Sequence, residues 1–417
     1  MYTKDKLNNG IRVVTEYIPY VNSVSIGIWI ANGSRNENIL NNGISHFIEH
    51  MMFKGTLNRT AKEIAESIEE IGGQINAFTG KETTCYYAKV LDSHIEIAID
   101  VLSDMLLNSK LDNEDIEKEK GVILEEINMY EDSPEDLVTD LLSKAMWPKT
   151  SIGYPILGEY RTLKDFNRDM IKDYMSNHYT ADNTVISIVG NFNFDKLIAL
   201  LNVKFNNWNV NSSNLHYDNP DMNYSVLTKN KDIEQVHLSI GLNGIELGNE
   251  DLYTLLAINN IFGGGTSSRL FQKIREEKGL AYSIYSYPSS YKNTGVFSIY
   301  VGLNQQYVEQ VIGLIKEEIE YIKIKFISEQ QLKKSKEQLK GNYILGLEST
   351  SNRMFGIGKS ELLINKIYEP KEILEKIDLI NIDDARRIIN DIFGKGIISG
   401  AAVGKLSKKI NVERLLF

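Results

Sequence analysis

Apolar positions switch between two periods along the first third of the chain. Val24–Ile30 reads VSIGIWI, alternating large apolar residues with small or aromatic ones, the pattern of a strand with two distinct faces. Before it, YTKDKLNNGIRVVTEY pairs two short runs around Asn9-Gly10, which predicts an N-terminal hairpin. Thr60 and Glu63 form a capping box that opens a helix over 60–71, and Gly72-Gly73 stop it. Residues 74–91 predict two strands around Gly80-Lys81. Residues 93–108 and 113–131 predict two further helices, and Ser133-Pro134 starts another with proline at its first position. Strands come in hairpins and helices in runs, so the class expected is α+β with mainly antiparallel sheets, not strict βαβ alternation.

The pattern then repeats. Ser25-Ile26-Gly27 recurs 214 positions later as Ser239-Ile240-Gly241, and Val189-Gly190 recurs at the same offset as Val403-Gly404. The first pair lies in strand-like alternation (VSIGIWI and VHLSIGL); the second ends a run rich in β-branched and small residues (TVISIVG and GIISGAAVG). One shared offset, close to half of 417 residues, predicts a duplicated domain. A single core rarely grows past about 250–300 residues, which also favours two. The expected domains are 1–210 and 220–417, joined by the polar, Asn-rich stretch 208–223 with Pro220 as punctuation.

Composition narrows the function classes. The chain has 56 acidic against 46 basic residues, and a net charge of −10 argues against sequence-independent nucleic-acid binding. With a single cysteine there is no internal disulfide and no all-cysteine zinc site, and Cys85 is expected to pack as a small hydrophobe. No apolar stretch approaches the roughly 18 residues of a membrane span. The N-terminal segment lacks both the apolar core of a signal peptide and the Arg/Ser-rich character of a transit peptide, so a cytoplasmic location is expected. Gly263-Gly264-Gly265 lacks the continuation of a phosphate-binding loop and reads as a tight turn before a helix around 268–277.

The chemistry concentrates in His46-Phe47-Ile48-Glu49-His50, which holds two of only six histidines. On a helix, spacings of three and four put His46, Glu49 and His50 on one face. Two neutral imidazoles at i and i+4 can grip one tetrahedral Zn²⁺, and a carboxylate between them can work on water without being a ligand. The order, H-x-x-E-H, is the reverse of H-E-x-x-H and is the inverted zinc-peptidase motif. Such a site needs a third protein ligand. In EKEKGVILEEINMYEDSPED, Glu119 and Glu126 share a helix face two turns apart and Glu125 points elsewhere, but spacing alone does not choose among these glutamates. His94, His178, His216 and His237 have no mutual metal spacing and are expected in structural or surface roles.

HFIEHMMFKGT, followed 76 residues after His50 by the last Glu of GVILEE, resembles the insulinase/pitrilysin family, and within it the catalytic subunit of the mitochondrial processing peptidase and its bacterial relatives. LNNGIRVVTE, GGQINAFTGKETTCYY and GGGTSSRLFQKIREEKGLAYSIYS extend the resemblance over essentially the whole chain. It implies one Zn²⁺ per chain held by His46, His50 and Glu126, with Glu49 as catalytic base and Glu119 as auxiliary glutamate. It implies two similar α/β-roll domains closing as a clam-shell chamber around a peptide. Asn76-Ala77-Phe78 matches an edge strand that pairs with extended substrate. Arg275 and Tyr282 match a pair that assists at the scissile carbonyl. Asp136 and Asp140, at i and i+4, match residues that accept a basic side chain near the cleaved bond. The implied activity is zinc-dependent endoproteolysis of peptides or unfolded, presequence-like segments. Two alternatives stay open at this point: a catalytic subunit that needs a second, related chain, and a non-catalytic scaffold relative. A homodimer would assemble the four domains that larger family members carry on one chain.

Overall fold

The computed structural model describes residues 2–212, 217, 219–406 and 410–417, so His216 and part of the 208–223 stretch lie outside the described residues. The first sheet is built from β1 (Tyr2–Lys6), β2 (Arg12–Tyr17), β3 (Ser23–Ile30), β4 (Gln74–Thr79), β5 (Thr84–Leu91) and β6 (Thr184–Gly190). Their order is β1-β2-β6-β3-β5-β4, with only β2 and β6 parallel. The second contains β7 (Ser225–Asn230), β8 (Gln235–Asn243), β9 (Ala281–Tyr291), β10 (Thr294–Asn304) and β11 (Ile397–Gly404). Its order is β7-β11-β8-β10-β9, again with one parallel pair, β7 and β11. The repeated tripeptide therefore falls on β3 and β8, which neighbour β6 and β11, the strands that end in the repeated Val-Gly. Gly190 and Gly404 both adopt left-handed φ, 143° and 142°, where a side chain would be strained.

Alternation along β3 serves two layers. Val24, Ile26, Ile28 and Ile30 enter the main core of the first sheet, with Phe47 and Ile48 and the helix Ile95–Asn108. Ser25, Gly27 and Trp29 face the other way, onto the helix Thr350–Ile364. Ser25 Oγ lies 2.9 Å from Thr350 Oγ1, and a Cβ on Gly27 would come within 2.4 Å of Met354 Sδ. β8 repeats the scheme. Val236, Leu238, Ile240 and Leu242 enter the second core, while a Cβ on Gly241 would meet Met146 Sδ at 2.7 Å, on the helix Pro134–Met146. The repeated glycine is thus where a helix lies flat on each sheet.

Those two helices come from the opposite sequence halves. One compact unit comprises Met1–Ile127, Pro155–His216 and Ile344–Glu369; the other comprises Asn128–Tyr154, Tyr217–Tyr343 and Pro370–Phe417. The units differ from the contiguous halves 1–210 and 220–417 by this exchange of helical segments. The reason is burial. Leu137, Val138, Leu142 and Met146 pack with Tyr300, Ile398, Ala401 and Val403 of the second sheet, so their apolar face is covered there. Elsewhere the expected elements form, with the Thr60/Glu63 capping box in place and Cys85 fully buried on β5. One differs: Phe271–Glu276 winds as a π-helix within the helix expected around 268–277.

Candidate metal centre

The helix Ile44–Met52 sinks Phe47, Ile48, Met51 and Met52 into the first core and leaves His46, Glu49 and His50 on the opposite face. Its start is held by Glu37, a buried carboxylate from a preceding loop. Glu37 accepts the Gly43 N–H at 2.7 Å, the Ser45 N–H at 2.9 Å and the Asn42 side-chain amide at 2.8 Å. Burial pushes its carboxyl up, and those donors pull the other way. A negative group at a helix N-terminus meets both the free N–H groups and the helix dipole. Gly43, at φ 97°, sits against Gly158 so closely that a Cβ would reach its Cα at 2.7 Å.

The helix Asn113–Asp132 brings up the glutamates. Glu126 Oε2 lies 3.7 Å from His46 Nε2 and 3.4 Å from His50 Nε2. Tetrahedral zinc with bonds of about 2.0–2.1 Å would set its ligand atoms roughly 3.3 Å apart. Among the described residues these three form the group of ligand atoms close enough to share one metal ion. Two nitrogens and one carboxylate oxygen suit zinc.

Glu119, 2 % exposed, accepts from His50 Nδ1 at 2.8 Å and takes Lys54 Nζ at 2.6 Å on its other oxygen. That hydrogen bond puts the Nδ1 proton toward Glu119 and leaves Nε2 facing Glu126. Burial opposes the charge on Glu119, but His50 and Lys54 outweigh it and hold its carboxyl below the usual range. Among the protein groups alone, burial is likewise outweighed at His50, whose bonds to Glu119 and Glu126 raise it to about 9. At His46 burial, with the neighbouring His50, lowers it to about 4. Glu126 is held low, first by His50. Glu49 stands beside these ligands with its carboxyl pushed up by burial, against a hydrogen bond from Thr79.

Asn76, Ala77 and Phe78 lie on β4, an edge strand of the first sheet. Phe78 is 38 % exposed and packs edge-on against Trp29 and Phe355. The remaining candidates belong to the other unit. Tyr282, 72 % exposed, stands at the start of edge strand β9, and the Arg275 guanidinium on the π-helix lies over the rings of Phe271 and Tyr282 at 4.7 and 5.4 Å. Asp136 and Asp140 sit on the helix Pro134–Met146, with Asp136 accepting from Ser133 Oγ. Of the other described histidines, His178 stacks on Tyr174 and His237 bonds the Tyr300 hydroxyl. Lys54, Glu37 and Thr79 escaped the sequence reading. Lys54, inside HFIEHMMFKGT, and Thr79, inside GGQINAFTGKETTCYY, lay within quoted motifs without being singled out, and Glu37 lay in none.

The profile described as Insulinase (Peptidase family M16) matches residues 12–159, and that described as Peptidase M16 inactive domain matches 165–339. The chain is 47 % identical over 385 residues to the uncharacterized zinc protease YmxG of Bacillus subtilis, covering 92 % of this chain and 94 % of that one. It is 39 % identical over 400 residues to an uncharacterized zinc protease of Rickettsia felis, covering 96 % of each. Among solved structures, a peptidase M16 inactive domain from Pseudomonas fluorescens superposes with a TM-score of 0.91 at 16 % identity, over 97 % of this chain and 98 % of that one. A protease from Helicobacter pylori gives 0.88 at 21 %, over 97 % and 99 %. The two structural matches establish the fold.

Proposed function

The chain belongs to peptidase family M16, the insulinase family, and on that premise we propose that it is a zinc metalloendopeptidase acting on peptides and unfolded segments. The observation that carries the reading is the convergence of His46, His50 and Glu126 on one point with Glu49 beside them. Bound zinc supplies Lewis acidity, making water more acidic and the scissile carbonyl more electrophilic. His46 Nε2, His50 Nε2 and one Glu126 oxygen would hold it. Glu119 keeps His50 in the ligating tautomer. Glu49 takes a proton from the attacking water and delivers it to the leaving amine nitrogen. Substrate lies along the outer edge of β4 at Asn76-Ala77-Phe78, where backbone pairing accepts an extended peptide with little demand on its side chains; the Ala77 N–H is itself held by Asn76 Oδ1 at 2.8 Å. In the second unit the Arg275 guanidinium lies over the Tyr282 ring, the pair that the family resemblance connects with the scissile carbonyl.

Cleavage-site mapping by mass spectrometry, with the purified chain, zinc and a mixed peptide library, tests the reading. Cuts within peptides are expected from the single chain. Zinc binding without hydrolysis would favour an obligate second chain, and neither zinc nor hydrolysis would favour a scaffold. Two substitutions probe finer parts. Glu119→Gln is expected to weaken zinc binding about 10–100-fold, measured by competition with a chromogenic chelator; unchanged affinity would remove Glu119 from the metal site. Asp136→Lys is expected to slow cleavage of peptides with Arg near the cut about tenfold more than cleavage of neutral ones. An equal effect on both would sink the basic preference.

A further inference from the structure

Glu49 and the edge strand β4 are joined by one hydroxyl. Thr79, the last residue of β4, places Oγ1 2.5 Å from Glu49 Oε2 and 3.3 Å from Thr84 Oγ1. Thr84 Oγ1 in turn lies 2.9 Å from the carbonyl oxygen of Asn32. Two hydroxyls carry two protons, and each hydroxyl has one to give. The Asn32 carbonyl can only accept, so it takes the Thr84 proton. The Glu49 carboxylate takes the Thr79 proton, as its charge and the shorter distance favour. Thr84, buried at the start of β5, thus spends its proton on backbone, and Thr79 keeps its own for Glu49.

We propose that Thr79 is the positioning residue of the general base: it pins Oε2 of Glu49 and leaves Oε1 to handle the proton. Oε1 accepts no hydrogen bond among the described residues. A glutamate has three side-chain torsions, and proton transfer needs its oxygen within about 2.6–3.2 Å of the proton's partner. Pinning one oxygen selects one rotamer before substrate arrives, which removes that ordering step from the barrier. The proposal rests on the peptidase reading and adds a geometric link. The strand that carries Asn76, Ala77 and Phe78 also carries the group that orients the base. A peptide aligned on β4 is then aligned with Glu49 by the same backbone, three residues from Asn76 to Thr79.

The test is steady-state hydrolysis of one quenched fluorescent peptide, chosen from the mapped cuts, by wild type, Thr79→Val and Thr79→Ser, with zinc content measured for each. Valine keeps the shape and β-branching of threonine and removes the hydroxyl. Thr79→Val is expected to lower kcat about 10–100-fold, with KM within twofold of wild type and one zinc per chain. Thr79→Ser, which keeps the donor, is expected to recover kcat to within about fivefold of wild type. A Thr79→Val enzyme with wild-type kcat overturns the proposal. So does a loss confined to KM, or a Thr79→Ser enzyme that holds zinc and is as slow as Thr79→Val, because each points to strand packing and not to the hydroxyl. Wild-type protein that binds zinc and cleaves nothing would overturn the reading of this chain as a peptidase active on its own, a result distinct from all of these.

Discussion

Glu49→Gln is expected to lower peptide hydrolysis by about 10²–10⁴-fold while the protein keeps one zinc per chain. The substitution is nearly isosteric. The glutamine carbonyl oxygen can still accept from Thr79, so the side chain is expected to stay where Glu49 stands. What it loses is the ability to take a proton. General-base contributions of 10²–10⁴-fold correspond to about 3–5 kcal/mol of barrier. The metal should be unaffected, because the converging ligand atoms belong to His46, His50 and Glu126. Hydrolysis rates alongside zinc quantified by atomic absorption check both halves of the expectation. A Glu49→Gln protein that cleaves within tenfold of wild type would show that the proton is handled elsewhere.

The largest effect on stability is expected from Glu37→Ala, at about 3 kcal/mol of destabilisation. The change strands the Gly43 and Ser45 N–H groups and one of the two Asn42 amide protons in a buried place, the other staying on the Pro155 carbonyl oxygen. Each unpaired donor costs roughly 1–3 kcal/mol, and the sum is partly offset because a carboxylate no longer has to be buried. The damage falls on the first turn of the helix that carries His46 and His50, so zinc affinity should fall with stability. Urea denaturation followed by circular dichroism, with and without zinc, measures both. Glu37→Gln keeps one acceptor oxygen and should lose less. An unchanged urea midpoint in Glu37→Ala would mean that the helix start is held by other groups.

These two residues differ in how far the sequence announces them. Glu49 stands between His46 and His50, and the geometry that makes them neighbours is the pitch of one helix, a local property of the backbone. The same holds for Glu119 and Glu126, seven residues apart on a second helix, although choosing Glu126 as third ligand needed the family resemblance. Glu37 carries no such signal. Its value depends on a loop folding back over the start of the helix, with contacts to Asn42, Gly43 and Ser45 that no periodicity encodes. Thr79 is 30 residues from Glu49 in sequence, and only the packing of β4 beside the helix Ile44–Met52 joins them. Lys54 reaches Glu119 from 65 positions away in the same manner.

By itself the sequence determined what is local or chemical. Helix and strand periods follow from the alternation of apolar positions. The repeat at offset 214 marks the duplication, and the type and spacing of His46, Glu49 and His50 set the donor chemistry. Tertiary structure alone decided which surfaces those elements cover. The helix Pro134–Met146 displays an apolar face that its own pattern assigns to no particular sheet; it lies on the second, where Gly241 leaves room for Met146. Thr350–Ile364 lies on the first, where Gly27 leaves room for Met354. Burial is non-directional and long-range along the chain, so an amphipathic pattern states that a face must be covered but not by what. Hydrogen bonds to Glu37, Glu49 and Glu119 form only once that choice is made.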